Sequence, residues 1–346
     1  MTMTPFDRIP YRYHTPSETG YEAYRRGLVG CFVDHDGAPE YARQVARYEH
    51  DLMMAECANA KALYQAPEIR GTGAGKRQCL WPHYLKLERG AMTGSQRYGN
   101  CTAWSGRCCV GNVIAADILA KGEAHEYPGR PGTAVAYSQR GHRGQGMAIA
   151  TCGRVFEQIG IQIQTTYLDG RYDFTTQRLD EDWGNARGGR SVPSDLAEVL
   201  KPHRIKTVAT VPGDADAIKD LLQNYYMIHV GSTKTAASSG DPISPLRTPA
   251  NHAEALIGYD DTDEIRDRLG LRAGQWVTIW DQSWGNWNRV TNWPDDLWGP
   301  KPDGAFVLLG DDAQWKIRQG SVAYSDAVGF PARTLPDWGM VDTLGA

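Results

Sequence analysis

The chain of 346 residues lacks any apolar run approaching the 18 or more that a membrane-spanning helix needs. It lacks an excess of charge of one sign: 37 Lys and Arg against 41 Asp and Glu leave −4. That balance gives no electrostatic footprint for nucleic acid or for an anionic membrane surface, so neither is expected as a partner. Paired cysteines are missing too. The seven, at positions 31, 57, 79, 101, 108, 109 and 152, are odd in number and irregular in spacing. A disulfide framework needs even counts, and a zinc site needs Cys-x-x-Cys or Cys/His pairs. No metal and no cofactor is therefore expected, and most thiols are expected to be buried in a reducing compartment. Met1 to Arg8 carries no apolar core of a secretory leader. The expected location is cytoplasmic, with a virus particle as the alternative. What is present is ordinary for a globular protein: 41% hydrophobic and 23% charged residues, too apolar for a disordered chain.

Texture changes along the chain. Residues 1–36 are polar and aromatic with Pro5, Pro10 and Pro16, and read as an extended arm. Tyr41, Val45, Tyr48, Leu52, Ala55 and Leu63 recur at helical steps after Pro39. Gly71-Thr-Gly-Ala-Gly-Lys76-Arg77 invites a phosphate-loop reading and fails it, because Arg70 and Arg77 stand where Gly and Ser or Thr are required; a flexible connector is expected. From Cys101 to about Leu119, apolar residues wrap most of a helix, which should be central and buried. Ala148, Cys152, Val155, Phe156 and Ile159 mark a second helix after the glycine-rich turn Gly141–Gly146. Residues 160–205 look irregular. Strands are expected at 205–211, 226–230, 253–257, 275–280 and 305–309, with a short helix capped by Asp214. Helices first and strands afterwards point to an α+β chain of two lobes with a cleft between them.

Three local sequences carry chemistry. Gln96-Arg-Tyr-Gly-Asn-Cys101 places a cysteine at a helix start, where the helix dipole favours thiolate. Asn251-His252-Ala-Glu-Ala-Leu-Ile-Gly258-Tyr259 places a histidine at a strand start. Asp281-Gln282-Ser283-Trp284-Gly285 places polar groups beside a tryptophan at a strand end. A cysteine, a distant histidine and an amide-bearing orienting residue are what thiol acyl transfer needs.

Over residues 91–330 these segments, in this order, resemble a divergent papain-like cysteine peptidase of the C1 type. Gln96 to Ser105 is similar to the family's glutamine-to-cysteine segment, Gly141-His-Arg-Gly144 to its double-glycine turn, and Ile218 to Gly231 to its helix-then-strand stretch. Asn251-His252-Ala matches its histidine segment; Ser283-Trp284-Gly285 with Trp298-Gly299 and Gly304-Ala-Phe306 matches its closing run. The resemblance implies a helical lobe over 91–205, an antiparallel β-barrel-like lobe over 206–330 and a catalytic cleft between them. Residues 1–90 would be a pro-like or docking extension that could meet an assembly partner, and 331–346 a tail. It implies a thiol hydrolase cleaving amide bonds in peptides or proteins, with Cys101 as nucleophile, His252 as its base, Gln96 as oxyanion donor and Gln282 orienting His252. Asp281 is the rival orienter, although neighbours on a strand face opposite sides.

The chain departs from the family pattern at several points. One residue is missing between Gln96 and Cys101, Thr102 replaces the usual tryptophan, and Tyr98 and His142 stand at the two positions of a family disulfide. Residues 260–274 and 286–297 look inserted. Asp260, Asp261, Asp263 and Glu264 lack the spacing of a calcium loop. Two alternatives follow: a papain fold with little or no turnover, serving structure or assembly, and a cell-wall peptide amidohydrolase. The second uses the six tryptophans between Trp276 and Trp298 for recognition.

Overall fold

The computed structural model describes residues 69, 71–92, 94–237, 240–247, 252–285, 290 and 292–331. The arm at 1–36 and the helix expected at 39–64 lie outside these residues, as do Asn251, Cys31, Cys57 and Trp287. In chain order the elements are β1 (Arg77–Cys79), α1 (Trp81–Leu87), α2 (Cys101–Leu119), α3 (Ala134–Ser138) and α4 (Ile149–Arg154), which continues into a π-turn at Val155–Ile159. Then come β2 (Thr166–Tyr167), β3 (Tyr172–Asp173), α5 (Gln177–Ala186), α6 (Ser194–Leu200), β4 (Arg204–Thr210), α7 (Ala215–Gln223), β5 (Met227–Ser232), β6 (Thr235–Ala236) and β7 (Leu246–Arg247). The last are β8 (His252–Asp260), α8 (Asp263–Leu269), β9 (Val277–Asp281), α9 (Asp295–Trp298), β10 (Phe306–Leu309), α10 (Gly310–Gln319) and β11 (Ser321–Val328). No helix among the described residues is long and apolar enough to cross a membrane.

The class is α+β. Six antiparallel strands run in the order β10-β9-β8-β5-β11-β4, and β1 continues the sheet against the far end of β8. The barrel-like closure expected from the sequence is not made: β10 and β4 are the two edges and do not pair with each other. Helices cover both faces instead. On β9, Asp281 turns to Cys108 of α2 while Trp280 turns to Lys316 of α10, and neighbouring strand residues face opposite ways. A sheet already covered on both sides has no apolar face left to bury by curling on itself.

Local chemistry explains the elements that bear on the site. In α2 every residue from Cys101 to Ile118 is buried, as its all-round apolar sequence requires. Asp214 caps α7 by accepting from the Ala217 N–H at 2.8 Å, and Thr262 and Gly270 bound α8. Gly258 sits where β1 presses on β8: a Cβ there would lie 2.7 Å from the Gln78 carbonyl oxygen. The Gly71–Lys76 segment is fastened, not flexible. Asp220 accepts from the N–H groups of Gly71 and Gly73, both at 2.8 Å, and Asp261 accepts from Gly75 at 3.0 Å. The amides that a phosphate loop would aim at a ligand are thus held by carboxylates.

Residues 160–205, expected to be irregular, hold two helices, α5 and α6. The carboxylates at 260–264 are ion-paired: Asp260 and Glu264 with Arg77, Asp261 with Lys219 and Arg266, and Asp263 with Arg266. Asp117, Glu123 and Asp326 come together elsewhere, but the Lys121 ammonium bridges Asp117 and Asp326 at 2.7 and 2.8 Å.

Candidate active site

Register fixes which end of α2 meets which end of the sheet. Ser105 Oγ lies 2.7 Å from His229 Nε2 on β5, and near the other end of the helix Asp117 accepts from the Ala327 N–H of β11 at 2.8 Å. Along β11, Ala327 lies beyond the residue paired with Met227, so α2 runs antiparallel to β5. His229 pairs with Ala255, and three residues on, Ser232 pairs with His252. Cys101, one turn before Ser105, therefore lies at the same end of the helix–sheet layer as His252.

A second connection leads from the cysteine to the histidine. Gln96, five residues before Cys101, donates its N–H to the Ser283 carbonyl at 2.8 Å. The Ser283 hydroxyl donates back to Gln96 Oε1, and Ser95 bridges Trp284 in antiparallel fashion. Trp284 in turn stacks on the His252 ring, with centroids 4.1 Å apart and planes inclined by 26°. Gly304 permits this turn of chain, since a Cβ on it would lie 2.8 Å from the Gln282 carbonyl oxygen and 2.9 Å from that of Gly285. Ser283 was legible only as a family letter, and its hydrogen bonds to Gln96 were not foreseen.

The four residues singled out in the sequence fare differently. Cys101 and His252 have no exposed surface. Among the described residues, neither ring nitrogen of His252 has a hydrogen-bond partner, nor does either amide atom of the buried Gln282. The hydrogen bond expected between Gln282 and His252 is thus not made, and the imidazole is stacked on the Trp284 ring instead. A buried polar group without a partner costs roughly 1–3 kcal/mol, and a catalytic role is one of the reasons such a group is kept. Gln96 is buried, and its Nε2 donates to the Tyr98 carbonyl at 2.7 Å; an amide nitrogen carries a second proton to give.

Asp281, the rival orienter, points away to α2. It lies beside the Cys108 thiol, and burial pushes its carboxyl up to about 7 against the pull of Cys108, Arg107 and Lys301. Burial also pushes the thiols of Cys79, Cys108, Cys109 and Cys152 up, so none of these four offers thiolate near neutrality. The two disulfide positions are polar here: the Tyr98 hydroxyl donates to Asp182 and His142 is buried.

Five of the six tryptophans between Trp276 and Trp298 lie within the described residues. Trp276, Trp280, Trp284 and Trp298 are buried, and Trp293 lies edge-on to Trp81 and Trp298 at 6.0 and 5.0 Å.

No protein-family model matches the chain, and no curated protein matches it. Among solved structures it is similar to xylellain, a cysteine protease from Xylella fastidiosa, at 17% identity over 75% of this chain and 89% of that one, with a TM-score of 0.49. It is similar to a digestive procathepsin L proteinase from Tenebrio molitor at 12% identity, 72% and 68% coverage and a TM-score of 0.47. A cathepsin B proform from Trypanosoma congolense is similar at 12% identity, 78% and 82% coverage and a TM-score of 0.45.

Proposed function

We propose that the chain is a thiol hydrolase of papain type that cleaves amide bonds in peptides or proteins. Cys101 is the nucleophile. As thiolate, paired with His252 as imidazolium, it attacks the carbonyl carbon. His252 then protonates the leaving amine and later takes a proton from the water that releases the acyl group. The Cys101 N–H and the second Gln96 Nε2 proton hold the oxyanion; losing one such donor typically costs on the order of 10²–10³ in rate. Residues 91–205 carry the nucleophile on this reading and 206–330 the base.

The observation that carries the proposal is the buried His252 imidazole, stacked on Trp284 with both nitrogens unpartnered, at the Cys101 end of α2. Cys101 also starts a helix whose N-cap residue makes no capping bond, which leaves the positive end of the dipole for charge developing beside it. Neither side chain has exposed surface, so alkylation requires local opening of the site.

A thiol-directed epoxide tests the assignment by mass spectrometry. Cys101 is expected to be alkylated fastest, with reactivity retained near pH 5–6, where an isolated thiol of pKa about 8.5 is protonated. Alkylation of Cys101 no faster than Cys108 at any pH would overturn it. One observation favours a second reading, a papain-type chain of little or no turnover: the missing bond between Gln282 and His252. Hydrolysis of a peptide library that disappears in Cys101→Ala excludes that reading.

A further inference from the structure

Three hydrogen-bond donors around Cys101 converge on one carboxylate oxygen. Glu181 on α5 is buried. Its Oε1 accepts from the Arg97 N–H at 3.2 Å, from Asn100 Nδ2 at 2.9 Å and from the Trp104 indole at 2.5 Å. Its Oε2 accepts from Gln177 Nε2 at 3.2 Å. The three donors sit four residues before, one before and three after the cysteine, so a single group from a distant helix fixes the turn on both sides of it.

The use made of Asn100 is unusual. An asparagine at an N-cap ordinarily turns its side-chain oxygen onto the first helical amides, a bond worth about 1 kcal/mol. Asn100 stands at the N-cap of α2, makes no such bond, and gives its amide to Glu181. The consequence is an uncapped helix start at the cysteine.

We propose that Glu181 is a positioning residue for Cys101: its carboxylate locks the Arg97–Trp104 turn and keeps the N-terminus of α2 uncapped. The inference rests on the reading of Cys101 as nucleophile. Ionised Glu181 is an acceptor only, and matches its donors; a protonated acid would present an O–H into a ring of N–H groups. The charged and titratable groups facing it are few. Arg107 of α2 is buried with its guanidinium 3.6 Å from the Trp104 ring centroid, which places a cation behind the donating indole. Arg97 pairs with Asp182 at 2.8 Å, Tyr98 also donates to Asp182, and Asp180 is turned to the Thr133 and Ala134 amides. Burial pushes the Glu181 carboxyl above its ordinary value, against the pull of its donors. Protonation of Glu181 on acidification then loosens the turn.

The test uses the full chain with Glu181→Gln and Glu181→Ala. Epoxide alkylation of Cys101 is followed from roughly pH 4 to 8, with thermal unfolding and the indole N–H resonance of Trp104 measured alongside. Glu181→Gln keeps the shape and one acceptor oxygen. It is expected to fold, to slow Cys101 alkylation about tenfold, and to flatten its fall on the acid side. The alanine variant should be about a hundredfold slower, as for a reacting group displaced by 1 Å. The Trp104 indole resonance should shift in both variants. Wild-type alkylation rates and pH profile in Glu181→Gln would overturn the proposal, whether or not Glu181→Ala folds. Were wild-type Cys101 no more reactive than Cys108, the nucleophile reading would fail, and an unshifted Trp104 resonance would by itself overturn the locking role of Glu181.

Discussion

Replacing Lys316 by methionine removes a cation from beneath the strand that bears His252. Lys316 on α10 and Glu254 on β8 form an ion pair in which neither side chain has exposed surface. The ammonium also donates to Ser232 Oγ at 2.8 Å and to the Lys234 carbonyl at 2.7 Å, and it lies 5.3 Å from the Trp280 ring centroid. Glu254 accepts in addition from the Thr235 hydroxyl. Methionine matches the lysine stem but leaves the carboxylate buried with one hydroxyl for company. Breaking a buried pair from one side costs about 3–5 kcal/mol, whereas replacing both charges by neutral groups of similar size is often neutral. At about 2–4 °C per kcal/mol for a domain of this size, Lys316→Met should lower Tm by roughly 6–20 °C. Adding Glu254→Gln to it should recover more than half. Calorimetry of the two single variants and the double variant gives the comparison. A double variant no more stable than Lys316→Met, or a single variant within about 1 kcal/mol of wild type, would refute the picture of a charge stranded without water.

Three further perturbations have signs that follow from the coordinates. Asp281 has its folded pKa raised to about 7, so between about pH 4 and 7 the folded state binds more protons than the unfolded one and stability falls as pH rises. Asp281→Asn should remove the Asp281 share of that slope in urea titrations, a difference of at most about 4 kcal/mol, and an unchanged slope would refute the burial argument. Gly258→Ala pushes a methyl against the Gln78 carbonyl oxygen and should cost about 1–3 kcal/mol; faster hydrogen exchange in β1 than in β9 is the signature to look for. Trp284→Phe keeps a ring over His252 and should preserve Cys101 alkylation within about tenfold, while Trp284→Leu, which removes the stack worth about 0.5–1.5 kcal/mol, should not; equal rates in both would argue against the ring as the orienting contact.

How much was legible in the sequence varied with how local the cause was. Helix α2 could be read from end to end because an apolar surface on every side is a property of its own residues. The strands at 204–210, 227–232, 252–260, 277–281 and 306–309 followed from β-branched and aromatic runs. Strand β11 passed unread. Ser321-Val-Ala-Tyr-Ser-Asp-Ala-Val328 is rich in small residues of weak strand preference, and its place in the sheet comes from partners a hundred residues away. Helix α5 was missed for a related reason. Its inward face carries Asp180 and Glu181 in place of an apolar stripe, and those carboxylates are paid back by donors near residues 97–104 and 133–134. Asp281 lies against Cys108 of α2, away from the histidine. Which of the two would meet His252 depended on side-chain reach across β8, and neither does so by a hydrogen bond.

The position of β11 in the sheet has a consequence for synthesis. It lies between β5 and β4, and β4 has no other neighbour in the ladder. A nascent chain leaving the ribosome can therefore pair β5 with β8 while β4, made earlier, waits with a whole row of peptide groups unsatisfied until the residues at 321–328 emerge. Among the described residues, β11 is the last strand to emerge and the one that ties β4 to the rest of the sheet, so nonsense changes upstream of Ser321 should yield sticky, chaperone-bound fragments and not a smaller native protein.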